Sequence, residues 1–436
     1  MQALIIGGGI IGLSTAFYLQ EDGWQVTVLE KGDLSDNCSF GNMGYLSPSH
    51  FVPLAAPGII SQGLFWLFQK KSPFYVRPVP SLALIDWGLK FLRAATPEHV
   101  DRSARPLLDL LLLSKTLFQD WAASGDLQFG LTEKGCLMYY QTEKYEKSEL
   151  ETAKKAEQLG LQVEVLGREQ VQTIEPDARP DVRGGVLYKD DAHLNPNILM
   201  QQLPALLEKR GVKIIRNAEV TGFERQGGKI TAVHYRQTDT SSFAKATADT
   251  QDAQVVLAAG SWSPQVARLA GEHLPLMPGK GYSMTIDNTV QQLHYPCILA
   301  EAKVALTPWP NRLRIGSTME IGPINDRILL ARVQGILEAV PRFMPGLARD
   351  PAFQALADPA QLKAQARQKV WYGFRPVSAD GMPYIGYAHK NKNLIVATGH
   401  AMLGISLGAG TGKVVSELAS GKPTSVALQA FDPRRY

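Results

Sequence analysis

Three groups of residues in this chain have types and spacings suited to chemistry. The first is Gly7-Gly8-Gly9-Ile10-Ile11-Gly12, a G-x-G-x-x-G spacing. Gly7 permits a tight turn, Gly9 lets the backbone approach a pyrophosphate, and Gly12 allows helix and strand to pack closely. The helix N-terminus then faces the phosphate charge. Glu30, eighteen residues past Gly12, is placed to accept hydrogen bonds from an adenosine ribose and to repel a 2′-phosphate. Together these residues imply a bound dinucleotide and leave open whether it is NAD or FAD. The second group centres on Arg375 in Gly373-Phe374-Arg375-Pro376. A planar, always-protonated guanidinium in a glycine- and proline-bracketed turn suits a two-point grip on an α-carboxylate. By residue type alone, Arg375 equally suits a pair with Asp380 or a loop cap. The third group is His50, Tyr282 and Tyr372. His50 suits orienting a substrate or tuning its amine, and equally suits a surface position. The two tyrosine hydroxyls suit donation to a carboxylate, or burial with the hydroxyl satisfied.

The elements around these residues read as a nucleotide-binding unit. Ala3 to Ile6 is a buried strand, a helix runs from about Ile10 to Asp22 and stops at Gly23, and Gln25 to Leu29 is the second strand. A second unit starts at Asn195-Pro196, with Leu199, Leu203 and Leu207 at helical spacing, Gly211 as its stop and Val212 to Ile215 as its strand. Val255 to Ala259 is a further apolar strand ending at Gly260. Arg105 to Leu113 reads as a helix buried on most sides, and Glu143 to Gly160 as a charged amphipathic helix. Thr238 to Thr250 reads as a polar hairpin loop.

The 436 residues allow two to three domains and a sizeable core at about 150 residues per domain. Hydrophobic residues at 45% and charged residues at 20% are ordinary globular composition, and a net charge of +4 is too mild to suggest a nucleic-acid partner. Cys38, Cys136 and Cys297 form no C-x-x-C pair, so neither a disulfide framework nor a metal site is supported. No window of about twenty uncharged apolar residues occurs, and the chain opens on a strand instead of a signal peptide, which predicts a cytoplasmic protein. The stretch Gly58 to Lys71 combines aromatic bulk with a terminal Lys pair. It suits either an interfacial helix or a core-packing one.

The segment Asn37-Cys38-Ser39-Phe40-Gly41-Asn42-Met43-Gly44 resembles the S-F-x-N-x-G loop of flavin-dependent D-amino acid dehydrogenases in the D-amino acid oxidase family. Three further stretches are similar to that family's motifs: Pro278 to Ser283, Tyr372 to Gly386, and Thr398-Gly399-His400-Ala401-Met402-Leu403-Gly404-Ile405-Ser406. The resemblance spans Gln2 to about Gly421. It implies FAD, held non-covalently because neither Cys136 nor Cys297 matches the covalent flavin cysteine of the sarcosine-oxidase branch. The cofactor-binding residues it implies are Gly7, Gly9, Ile10, Ile11, Gly12, Glu30, Lys31, Ser39, Asn42, Met43 and Gly44. Val220, Gly260, Trp262, Leu403, Gly404, Ile405 and Ser406 complete the set. The final helix, beginning near Gly404, would set its N-terminus against the isoalloxazine edge, or pack tightly on the sheet through its glycines. Arg375, His50, Tyr282 and Tyr372 are the substrate-side residues, and His50 departs from the tyrosine that those dehydrogenases often carry nearby.

The expected fold is α/β: a discontinuous Rossmann-like FAD domain (1–54, 193–272 and 370–436) with an inserted α+β substrate domain (55–192 and 273–369). The expected activity is oxidation of a small amino acid at its Cα–N bond by hydride transfer to flavin N5, with electrons passing to a quinone or another acceptor. An oxygen-using glycine, sarcosine or proline oxidase is one alternative, and a non-redox or tRNA-modifying FAD protein another. An NAD-dependent dehydrogenase would leave the Ser39 loop and the Gly404 segment unexplained. Peripheral contact with the inner face of the cell membrane is a further expectation, and the oligomeric state is left open.

Overall fold

A computed structural model describes residues 1–58, 69, 71–77, 81–237, 243–247 and 253–436. The interfacial stretch expected between Gly58 and Lys71 lies mostly outside them, since residues 59–68 and 70 are not described. No helix among the described residues is long and apolar enough to cross a membrane.

The apolar strand Gln2–Ile6 lies at the centre of one sheet. It pairs in parallel with Gln25–Leu29 (Ile5 opposite Val28) and with Gln254–Leu257 (Ile5 opposite Val256). Strands buried on both faces need near-continuous apolar runs, and Ile5, Val28, Val255 and Val256 are all fully buried. Among the described residues the sheet continues through Lys213–Ile215 on one side, and through Leu394–Thr398 and the antiparallel edge strand Tyr384–Tyr387 on the other. The fingerprint helix Ile10–Glu21 follows the first strand as its glycines require. The second helix, Pro196–Lys209, is capped by the Asn195 side chain, with proline in its first turn, where its missing N–H costs nothing.

The C-terminal helix runs from Gly408 to Ala419, not from near Gly404. Residues Ala401–Leu403 form a tight 3₁₀ turn, and the amides of Leu407 and Gly408 close onto the carbonyls of Leu403 and Ile405, at 2.8 and 3.0 Å. Gly408, Gly410 and Gly412 serve helix-on-helix contact. Side chains at Gly408 and Gly412 would run into Ile10 and Ser14 of the fingerprint helix, and one at Gly410 into Leu110 and Ser114 of the helix Pro97–Ala123. That long helix buries Leu107, Leu108, Leu110 and Leu111.

A larger, mostly antiparallel sheet faces this unit. Its order among the described residues is Trp371–Ser378, Leu276–Asp287, Arg312–Ile321, Val304–Trp309, Cys297–Leu299, Cys136–Tyr140, Gly184–Tyr188 and Val163–Gly167, with Phe74–Val76 also pairing on Arg312–Ile321. Helices Leu330–Phe343, Pro351–Ala357 and Pro359–Lys369 share a hydrophobic core with it. Two sequence expectations change here. The stretch around Arg375 is an eight-residue strand and not a turn. Pro278 and Pro376 stand opposite each other, so both missing N–H groups fall at one rung. The expected loop 238–250 contains a strand, Phe243–Thr247, antiparallel to Lys229–Gln237, with Ala244 and Ala246 packed beside Val233 and Tyr235. Residues 238–242 and 248–250 lie outside the described ones.

Candidate functional site

A cavity of ≈ 1910 Å³ runs between the two sheets. That exceeds the space one small ligand needs, about 300–1,000 Å³, and suits a long cofactor plus a substrate. Of the residues expected at the site, Gly12 and Gly44 do not line it, and all the others do. A side chain at Gly12 would meet the Gly7 carbonyl and one at Gly44 the Leu194 carbonyl, so both glycines serve backbone packing.

At one end the first strand turns at Gly7, with φ +113°, under the backbone of Ala258. The space above Gly9 is open to 3.8 Å, where Ser39 Oγ begins. Ser39 Oγ also accepts the Ile10 N–H at 3.2 Å, which ties the second loop to the helix N-terminus. Glu30 was expected to meet a ribose. In the protein, one carboxylate oxygen accepts the Gly8 N–H at 2.5 Å and the other the Gly32 N–H at 2.7 Å. Each oxygen retains a second acceptor position, so the group fastens the fingerprint turn and can still bind a hydroxyl. Lys31 pairs with Glu219 at 2.8 Å, and Val220 follows on the strand Ala218–Gln226.

The loop Asn37–Gly44 is held from both sheets. Asn42 Oδ1 accepts the Gly44 N–H at 2.8 Å, and the Met43 carbonyl accepts from Thr307 at 2.7 Å. Sequence reasoning missed the strongest clamp. Arg314, almost fully buried, donates to the carbonyls of Phe40 at 2.9 Å and Asn42 at 2.7 Å, and to Asn197 Oδ1 at 2.5 Å. Burial pulls its guanidinium down to about 10, still charged at neutral pH. Nothing in the sequence marks it, because Arg312, two residues away, is an ordinary exposed partner of Asp287. Cys38 makes a reciprocal pair of hydrogen bonds with the Phe374 backbone at 3.1 Å. Burial raises its thiol to about 11. Trp371 fills the space over Gly41 and bonds Asp36 at 2.8 Å.

At the other end, Leu403 to Ser406 form the turn before the C-terminal helix. Ser406 Oγ donates to the Tyr45 carbonyl at 2.6 Å, and His400 meets Thr411 Oγ1 at 3.0 Å. Burial drives the His400 imidazole down to about 3, so it stays neutral and holds the turn. Trp262 packs edge-on to Phe374 at 6.2 Å, and the neighbouring Ser261 hydroxyl bonds the Phe374 carbonyl at 2.8 Å.

Arg375 lies over Gly281, where any side chain would occupy the guanidinium's volume. It donates to the carbonyl of Thr318, and no carboxylate lies within 4 Å of it among the described residues. Asp380, its alternative partner, is engaged by Arg435 at 2.7 and 2.9 Å. Burial lowers the Arg375 guanidinium to about 10, so at neutral pH a charged, anion-deficient group faces the cavity. Thr318 adopts φ +73°, a strained conformation for a β-branched residue, and its hydroxyl is buried without a partner among the described residues.

The two tyrosines separate. The Tyr282 hydroxyl accepts the Leu329 N–H at 3.0 Å, next to the Arg327 carbonyl at 3.5 Å, so it is already satisfied. Tyr372 lies under the Lys280 ammonium at 4.4 Å and edge-on to Phe374 at 6.0 Å. His50 is half-buried on the cavity wall, its Nδ1 3.2 Å from Ser49 Oγ. No cluster of metal-binding side chains occurs among the described residues. An open glycine cradle at a helix N-terminus, a carboxylate with spare acceptor positions and a cavity this long fit a flavin adenine dinucleotide.

A family model described as FAD dependent oxidoreductase (DAO) matches residues 2–418. A D-amino acid dehydrogenase of Granulibacter bethesdensis is 30% identical over 443 residues, covering all of both chains. One from Neisseria meningitidis serogroup C is also 30% identical over full length. Among solved structures, glycine oxidase from Geobacillus kaustophilus superposes with a TM-score of 0.74 at 21% identity, covering 100% of this chain and 98% of that one. L-proline dehydrogenase from P. horikoshii gives 0.71 at 17%, covering 100% and 97%.

Proposed function

The chain belongs to the DAO family of FAD-dependent oxidoreductases, and from that premise we propose that it is an amino acid dehydrogenase. It oxidises the Cα–N bond of a small D-amino acid or a proline derivative. The product is an imine that hydrolyses to a 2-oxo acid and ammonia, or a cyclic imine from a proline. The observation that carries this reading is Arg375: a half-buried, desolvated guanidinium with no carboxylate partner among the described residues, in the same cavity as the fingerprint glycines. A charge left in that condition costs free energy unless an anion joins it, and an α-carboxylate matches its fork geometry. Full-length similarity to proteins named D-amino acid dehydrogenase supports the choice of substrate.

FAD, held non-covalently, would rest on Gly7, Gly9, Ile10 and Ile11 at the pyrophosphate, with Glu30, Lys31 and Val220 toward the adenosine. Ser39, Asn42, Met43, Gly260 and Trp262 would flank its middle, and Leu403 to Ser406 its ring edge. When bound it supplies the hydride acceptor. The protein's part is to grip the carboxylate with Arg375, close one wall with Tyr372, and leave Cα–H in a fixed direction. Tyr282 serves that wall by packing, its hydroxyl being occupied.

Residues 1–54, 193–272 and 370–436 act as the FAD unit and 55–192 with 273–369 as the substrate unit. Electrons leave to a quinone at the inner face of the cell membrane. The helix Leu82–Ala94 supports that contact by turning Leu82, Ile85, Leu89 and Leu92 outward. The purified protein should be yellow, and D-amino acids or D-proline derivatives should bleach it without oxygen. A panel of D- and L-amino acids, sarcosine and prolines that leaves the colour unchanged would overturn the reading.

A further inference from the structure

The short strand Tyr45–Leu46 pairs with Ala192–His193, Leu46 opposite Ala192. This register brings Asp191 beside the chain that continues through Ser47 to His50. Asp191 is fully buried, and its own backbone is fixed: its N–H reaches the Tyr188 carbonyl and its carbonyl accepts from Gly135 at 3.0 Å. Both carboxylate oxygens are taken by one residue. Oδ1 accepts the Ser49 N–H at 3.0 Å, and Oδ2 accepts the Ser49 hydroxyl at 2.6 Å.

The Ser49 oxygen also lies 3.2 Å from His50 Nδ1. A hydroxyl has one proton, and while Asp191 is ionised the short contact to its carboxylate takes it. Toward His50 the Ser49 oxygen therefore has only lone pairs to offer, so the imidazole must carry its proton on Nδ1. Its Nε2 then bears a lone pair, and among the described residues nothing donates to it. Burial and the Lys303 ammonium push the imidazole down to about 4, which keeps it neutral at ordinary pH.

We propose that Asp191 and Ser49 are positioning residues that lock His50 in its Nδ1–H tautomer, so that Nε2 accepts a hydrogen bond from the amino group of the substrate. This rests on the amine-oxidising reading above. With the carboxylate on Arg375 and an amine N–H on His50, the substrate is held at two points on either side of Cα, which fixes orientation as well as affinity.

The test uses the FAD-loaded protein with ¹⁵N-labelled histidine, the His50 signals being assigned by their loss in His50→Gln. At a pH above the titration of Asp191, the wild-type ring should show a protonated Nδ1 and a bare Nε2 before any substrate is added. In Asp191→Asn the amide donates to Ser49, the hydroxyl turns to donate to Nδ1, and the tautomer should reverse. kcat/KM for the amino acid should fall about 100-fold while FAD stays bound. Ser49→Ala should lose the tautomer preference and Ser49→Thr keep it, which decides the matter should the Asn variant fail to fold. A wild-type proton on Nε2 at that pH, or an unchanged tautomer in Asp191→Asn and Ser49→Ala, overturns the inference alone. A flavin that no amino acid bleaches overturns the amine-oxidising function and, with it, the assigned hydrogen-bond partner.

Discussion

In the proposed reaction Arg375 carries the substrate side, because its desolvated charge has no anion beside it among the described residues and donates to the Thr318 carbonyl. Arg375→Met should raise KM for an amino acid at least 100-fold, the loss of about 3 kcal/mol expected for a charge-assisted pair, while the flavin spectrum stays intact. Steady-state kinetics beside an absorbance scan checks both halves, and loss of the flavin would make Arg375 structural. Asp191 sets a pH dependence. Burial pushes its carboxyl up to about 7, against the Ser49 hydrogen bonds and the Lys115 charge, with Asp190 adding to the rise; Tyr188 and Cys136, its other titratable neighbours, stay protonated. As pH falls through that value Asp191 gains a proton and donates to Ser49, whose hydroxyl then turns to His50 Nδ1. Nε2 becomes a donor, and kcat/KM should decline on the acid side of pH 7. The decline should be absent from the pH profile of Asp191→Asn.

Among the elements, the glycine-rich C-terminal helix and the strand Trp371–Ser378 depend on missing side chains for different reasons. A methyl group at Gly412 meets the Ser14 backbone, which cannot yield, so Gly412→Ala should destabilise by about 1–3 kcal/mol and lower Tm. At Gly281 the obstacle is the end of the Arg375 side chain, which can swing aside. Gly281→Ala should therefore leave Tm near wild type and raise KM about tenfold. The nucleotide-binding unit was legible in the sequence because its signals are local: Gly7 to Gly12, Gly23 and Asn195-Pro196 each dictate their own turn or cap. The strand holding Arg375 was not, because its conformation comes from a partner strand nearly a hundred residues earlier, whose glycines make room for its large side chains. The C-terminal helix starts four residues later than Gly404, since the amides of Leu403 and Gly408 close back only three residues, onto His400 and Ile405, and hold tight turns on either side of the single helical bond from Leu407 to Leu403.

Across the whole molecule, the larger sheet reaches over to hold the loop that would wrap the cofactor, and Arg314 is the link. Arg314→Met leaves the carbonyls of Phe40 and Asn42 without their donor. Two lost hydrogen bonds of about 1–3 kcal/mol each should weaken FAD retention at least tenfold, measured by the fluorescence of released flavin on dilution. No local pattern could announce this contact, for it joins residues more than 270 apart in the chain. The same long-range closure puts Arg375, His50 and the glycine turn on one cavity, the arrangement that the proposed oxidation of an amino acid at Cα–N requires. Anaerobic mixing of the flavin-loaded protein with D-alanine, and separately with ethylamine, tests it most directly. D-alanine should bleach the flavin, and ethylamine, which lacks the carboxylate for Arg375, should not. Equal bleaching by both, or by neither D-alanine nor any other D-amino acid or proline derivative, would contradict it.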